Sequence, residues 1–213
     1  MSLPDPVKVQ FGSGPKAVSG WLNYDCSPTL LAQRLPLVGT ILRKRSETVF
    51  DRDVLYGDTR QRLPVAAQSV KYLYCSHTLE HLSLEDFRKT LKECRRVLAP
   101  GGVFRGVMPD LEVVVASYLN DQAPDRCSRM MQSSYLGTVS RSRGVMGLAR
   151  NLWGNSRHLW LWDYAGTQAE LAAAGFVGIR RARFHDSAFP VFEEIEEEDR
   201  WVDCLGFECF APS

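Results

Sequence analysis

Several places in this 213-residue chain carry residue types that could do chemistry. Gly12-Ser13-Gly14 follows an alternating run from Val7 to Phe11. Glycines there permit positive φ and a close approach of backbone to a ligand, although a plain tight turn reads the same way. Asp25 ends the run Trp21-Leu22-Asn23-Tyr24, and Asp58 ends Val54-Leu55-Tyr56-Gly57. A carboxylate at the tip of a second strand suits a ribose diol, because it offers two acceptor oxygens. Ser76 and His77 close the run Val70 to Cys75, and Asp110 closes Val103 to Pro109. His77-Thr78-Leu79-Glu80-His81 spells H-x-x-E-H, a pattern used by some zinc proteases. That chemistry needs both histidines on one helical face, a third ligand and an open position. Here the pattern follows a strand directly and the helix starts after it, so no metal is expected; Glu80 and His81 are read as tying the loop to backbone.

The elements that must hold these residues are strand, helix, strand. Val70 to Tyr74 is aromatic and β-branched, as strands are. Ser83 reads as a helix N-cap, with Asp86 completing a capping box and Leu82 and Phe87 a hydrophobic staple. Phe87, Leu91, Cys94 and Leu98 recur at helical spacing, and Arg95 and Arg96 suit the negative end of the helix dipole. Ala99-Pro100-Gly101-Gly102 stops that helix, and Val103 to Met108 resumes as a strand. Such a unit is a right-handed parallel crossover inside an open α/β sheet, whose ligands lie beyond the carboxyl ends of the strands. Thr29 to Arg45, broken by Pro36 and Gly39, gives two short helical pieces; they read as packing over the sheet, a cap over the site, or a weak membrane-surface contact. Thr167 to Ala174 reads as a helix closed by Gly175, Phe176 to Phe184 as a strand, and Asp203 to Phe210 as the last strand.

The segments His77 to Leu82, Glu93 to Gly102 and Met108-Pro109-Asp110 together resemble class I S-adenosylmethionine (SAM)-dependent methyltransferases of the small-molecule type, with their LEHL…RVLxPGG pattern. The resemblance is good from about Val7 to Asp110 and loose in the last third. It implies an α/β, Rossmann-like, seven-stranded, mostly parallel sheet with an antiparallel C-terminal edge strand. The first helix is shortened, because only a handful of residues separate Gly14 from Trp21, where a crossover usually needs a dozen or more; one face of the sheet is therefore expected to be thinly covered. The resemblance assigns Gly12, Ser13, Gly14, Asp25, Asp58, Ser76 and His77 to the cofactor, with Asp58 or its backbone facing adenine. Tyr74, Ser76 and Glu80 would meet the cofactor's amino-acid end. If the acceptor is a hydroxyl, a base is needed; His77 is the first candidate and Asp110 the second. Two other readings stay open. One is a SAM-binding module without turnover, since Val70-Lys71 replaces the family's F-D. The other is a nicotinamide-dependent oxidoreductase, which would want glycine where Ala17 stands.

Residues 1–213 are read as a single domain in which 120–160 is a basic insertion over the acceptor site. Arg126, Arg129, Arg141, Arg143, Arg150 and Arg157 fall in a stretch with no acid. Guanidinium groups bind phosphate or carboxylate bidentately, so an anionic small-molecule or glycan-type acceptor held by Arg141 and Arg143 is one reading. A solvated surface, or pairing with the acidic run Glu193 to Asp199, is the other. Arg157 to Tyr164 is dense in aromatics, and its His158 and Tyr164 either line an acceptor pocket or belong to a buried corner. Net charge of +1 argues for no particular partner, and aromatics are not interleaved with arginines as nucleic-acid stacking requires. Met1 to Pro6 lacks the pattern of a secretion signal, no apolar run approaches a membrane span, and six cysteines without C-x-x-C spacing suit a reduced, cytoplasmic protein.

Overall fold

The computed structural model describes residues 7–36, 38–46, 48–139 and 157–213. Seven strands form one sheet: β1 (Val7–Phe11), β2 (Leu22–Asp25), β3 (Val54–Tyr56), β4 (Val70–Ser76), β5 (Leu98–Pro109), β6 (Val177–Ala182) and β7 (Cys204–Phe210). Their order is β3-β2-β1-β4-β5-β7-β6. The first five run parallel, and β7 is antiparallel to both neighbours, β5 and β6. This is the Rossmann-like methyltransferase sheet that the sequence implies. Around it lie α1 (Pro28–Gln33), α2 (Val38–Arg45), α3 (Leu84–Val97), α4 (Leu111–Asn120), α5 (Arg126–Ser133) and α6 (Tyr164–Ala173). Among the described residues no helix is long and apolar enough to cross a membrane.

The crossover from β4 to β5 forms as its sequence dictates. Ser83 Oγ accepts from Asp86 N at 3.2 Å and starts α3. Phe87, Leu91, Cys94 and Val97 are buried against the sheet, joined by Leu171 and Phe176 from the α6 region. Trp162 stacks on Phe87 with ring centroids 4.3 Å apart, so the aromatic stretch before α6 is in part a buried corner. Ala99 to Gly102 do not interrupt the strand: β5 begins at Leu98, with an irregularity in its register beside Val70.

The connection from β1 to β2 contains no helix, as the short spacing requires. The expected thin cover on that face is not what the structure shows. Phe192, Ile195 and Trp201, from the segment between β6 and β7, pack with Trp21, Tyr74, Val103 and Val107 and take the place of the missing helix. Arg105 of β5 fastens that segment. Its guanidinium is fully buried and pairs with Glu196, with Asp186 at 3.0 Å and with Glu208 at 3.2 Å. It also lies 4.7 Å from the Trp201 ring. The acidic run is therefore partly structural, and Lys8 holds its Glu194 at 2.7 Å.

Replacing Arg105 by Met leaves the buried Glu196 without its guanidinium and Asp186 and Glu208 to Arg180 alone, and removing one partner of a buried ion pair costs about 3–5 kcal/mol. Urea unfolding of R105M should show that loss; a loss under ~1 kcal/mol would mean the segment is held by its aromatics alone. The network also has a pH signature. Burial by itself would raise the Asp186 pKa, but Arg180 and Arg105 outweigh it and hold the carboxyl below its usual value. Its contribution is then complete above the unfolded pKa of ~4 and is lost as pH falls below it. Acid unfolding of the wild type should be steeper than that of Asp186→Asn, followed by circular dichroism from pH 6 to pH 2.

Candidate functional site

The tips of β1, β2 and β4 converge on the Gly12–Gly14 loop. Gly12 and Gly14 both lie in the left-handed region, at φ 64° and 66°. They are special for different reasons. A Cβ on Gly12 would stand 2.0 Å from Thr78 Oγ1, whereas a Cβ on Gly14 would meet nothing within 4 Å. Gly12 is thus pressed against the turn after β4, and Gly14 faces open space. Ser13 N donates to the Tyr24 carbonyl at 3.1 Å, which ties the loop to β2.

Asp25 closes the loop from the other side. Its Oδ2 accepts from Gly14 N at 3.0 Å and its Oδ1 from Ser27 N at 2.7 Å. Burial raises its pKa, and those two backbone donors oppose the rise. A carboxylate has about four acceptor sites, so Asp25 keeps capacity for a pair of hydroxyls. Asp58 does not. Both its oxygens accept from the Arg60 guanidinium, at 2.9 and 2.8 Å, and Oδ1 also from Arg60 N at 2.9 Å. Burial would raise its pKa, but Arg60 overrides that and lowers it. The expectation that this side chain receives an adenine amino group is corrected: the carboxylate is spent within its own turn, leaving only the neighbouring backbone to act.

Between the glycine loop and the 184–201 segment runs a cleft of about 250 Å³. Gln10, Tyr74, Ser76 and Arg200 line it, with Lys16 at its rim. Gln10 Oε1 and Tyr74 Oη are buried there without a hydrogen-bond partner among the described residues. Native proteins seldom leave such groups unpaired, so both atoms mark a place for a polar ligand. Ser76 Oγ accepts from Arg200 Nε at 2.7 Å, and its carbonyl from Arg200 Nη2 at 3.1 Å. Tyr74 and Ser76 thus stand where the sequence placed them. Gln10, Lys16 and Arg200 were not anticipated; Arg200 lies 124 positions from Ser76, and nothing local signals that contact.

The two proposed bases do not fit that role. His77 follows the tip of β4 at φ 49°. Its Nε2 lies 2.9 Å from the Arg200 carbonyl and its Nδ1 3.3 Å from Glu80 Oε1. Burial disfavours its charge, but the Cys204 sulfur, the Glu80 carboxylate and that carbonyl prevail and push its pKa to about 10. A ring already protonated at neutral pH cannot take up a proton. Asp110 is buried as the N-cap of α4, accepting from Glu112 N at 2.9 Å, and is paired with Arg181. Glu80 is not at the cofactor cleft but among histidines, and His158 stands beside it, 3.9 Å from Oε1. Tyr164 opens α6, packs against the core and lies under the Arg181 guanidinium. Arg141 and Arg143 fall outside the described residues.

A family model described as a methyltransferase domain matches residues 10–105. That span holds the glycine loop, the tips of β2 and β4 and the crossover to β5. Solved structures share the whole fold. One is a SAM-dependent methyltransferase of Thermotoga maritima described as a possible histamine N-methyltransferase, 20% identical, covering 98% of this chain and 84% of its own, with a TM-score of 0.51. Another is a Pyrococcus horikoshii protein, 15% identical, covering 98% and 83%, with a TM-score of 0.52. No curated protein sequence matches. The matched span and the shared fold agree in pointing to the methyltransferase architecture. Residues 10–105 are thus similar to a methyltransferase domain, and the whole chain shares the fold of these solved structures.

The two glycines make a paired test. Gly14→Ala adds only left-handed strain, about 1–2 kcal/mol. Gly12→Ala adds the collision with Thr78 and should cost more, with a larger loss of SAM affinity by calorimetry. Equal costs would show that the Thr78 contact does not fix the loop.

Proposed function

We propose that the protein transfers the methyl group of SAM to a small or carrier-linked acceptor, with the nucleoside across the tips of β1 and β2 and the amino-acid end in the 250 Å³ cleft. The observation that carries this reading is the pair of unpartnered atoms, Gln10 Oε1 and Tyr74 Oη, buried in a cleft that also presents Ser13, Ser76 and the charges of Lys16, Glu197 and Arg200. A zwitterionic amino-acid group supplies both the donors and the acceptors that such a lining lacks. Asp25 accepts from the ribose hydroxyls with the capacity that Gly14 N and Ser27 N leave free. Gly12, Ser13 and Gly14 let the loop backbone come close. The cofactor, when bound, supplies an activated methyl on a positively charged sulfur. The chain's part is orientation, which can account for ~7–11 kcal/mol of a barrier between reactants. No described residue is assigned as the proton acceptor.

The acceptor is proposed to approach over the 120–160 insertion. Six arginines without an acid between 126 and 157 favour an anionic group on it. Arg126 and Arg129 lie on α5, and Arg129 reaches Asp121 at 3.4 Å, so part of the block is paired.

Titration calorimetry should show one SAM per chain. Asp25→Ala should weaken it at least about tenfold, the scale of one lost charge-assisted hydrogen bond, while Asp25→Asn, which keeps an acceptor, should lose less. An undiminished affinity in Asp25→Ala removes the ribose assignment. Release of S-adenosylhomocysteine against neutral and phosphorylated acceptors then tests the anion. If Arg141→Ala and Arg143→Ala turn over a phosphorylated acceptor as the wild type does, the arginine block has no part in recognition.

A further inference from the structure

Glu80 is 1% exposed, and neither of its carboxylate oxygens takes a hydrogen bond from a described residue. Burying an ionised carboxylate costs several kcal/mol unless it is paired. Its surroundings are three of the four histidines in the chain. His77 Nδ1 is 3.3 Å from Oε1, His158 Nε2 3.9 Å and His81 Nε2 4.0 Å. The last two distances are too long for hydrogen bonds. They suit groups that share an ion. One donor atom each from Glu80, His81 and His158 lies within 4.8 Å of the others. Ligands at ~2.1 Å from a tetrahedral centre stand ~3.4 Å apart, so the two histidine–Glu80 pairs must close by about half an ångström and the widest pair by up to about 1.4 Å.

The surrounding protein holds the ligands in place. His81 Nδ1 lies 2.9 Å from the Arg157 carbonyl. A carbonyl only accepts, so Nδ1 carries a proton and Nε2 is the ring atom turned toward Glu80, the orientation usual for metal-bound imidazole. The His158 strand is locked to the same turn: Leu159 N and Trp160 N both donate to the Glu80 carbonyl, at 2.7 and 3.2 Å. The His81 and His158 rings meet edge to face at 5.0 Å.

We propose that Glu80, His81 and His158 bind one divalent transition-metal ion of the zinc type, with His77 Nδ1 beside the Glu80 carboxylate. Two imidazoles and a carboxylate are a donor set for zinc and its neighbours, and three protein ligands leave a position for water or for an oxygen of a bound molecule. The H-x-x-E-H spacing supplies Glu80 and His81 but not on a continuous α-helix: Leu79 to His81 is a single 3₁₀ turn, and the third ligand arrives from 77 positions on. The site adjoins the glycine loop through Thr78 and Gly12. It stands whether or not the methyl-transfer reading holds.

The test is a titration of the chelator-stripped full chain with Co²⁺, read by its visible absorption, followed by displacement with Zn²⁺. One Co²⁺ per chain, displaced by one Zn²⁺, is expected. His81→Ala and His158→Ala, each checked for folding by circular dichroism, should weaken binding at least about tenfold, the minimum seen when even an outer partner of a metal ligand is lost. The proposal is overturned if the folded wild type takes up neither ion stoichiometrically, or if both folded variants bind as tightly as the wild type. The wild-type stoichiometry decides the matter even if a variant fails to fold.

Discussion

A single guanidinium sets the shape of the cleft beside the glycine loop. Arg105 is placed at the centre of β5, where a parallel sheet would ordinarily bury an apolar residue, and its charge must be answered by Glu196, Glu208 and Asp186. Glu196 lies in the segment that replaces the missing first helix, so the pairing draws that segment across β1, β4 and β5. Four residues further on, Arg200 then reaches Ser76, and its carbonyl reaches His77. The floor of the cleft, the wall opposite the glycine loop and the orientation of His77 all follow from how that one charge is neutralised.

The fold was legible because its signals are local. Alternation in Val7–Phe11, the Ser83 cap and the helical spacing of Phe87, Leu91 and Cys94 each act over a few residues, and the structure repeats them. What covers the β1–β4 face was not legible, since the answer lies in pairs more than ninety positions apart, such as Arg105 with Glu196. The site divides in the same way. The positive φ of Gly12 and Gly14 and the place of Asp25 at the end of β2 are local features that the sequence signals. Asp58, His77 and Asp110 differ, because a titratable group at a strand tip reads identically in sequence whether it is free or already paired. Arg60 beside Asp58, Arg200 above His77 and Arg181 on Asp110 make the difference, and only the first is near in sequence.

His77 shows how such a tip can look catalytic and be structural. A non-glycine residue in the left-handed region carries strain of order 1–3 kcal/mol, which surrounding contacts must offset. Here they do so from both sides, through the Arg200 carbonyl and Glu80. The strained conformation turns the following residues, Thr78 to His81, back toward the sheet, and it is this reversal that brings Thr78 against Gly12 and buries Glu80.

The same reversal links the two functional regions mechanically. Thr78 touches the glycine loop with its side chain, its carbonyl accepts from His81 N at 3.2 Å, and its hydroxyl donates to the Ser76 carbonyl at 3.1 Å. The Ser76 carbonyl is also held by Arg200. A displacement of the turn around Glu80 must therefore move either Gly12 or Ser76, because close-packed neighbours transmit shifts rather than absorb them. Glycine loop and histidine cluster are thus joined through one turn, Thr78 to His81.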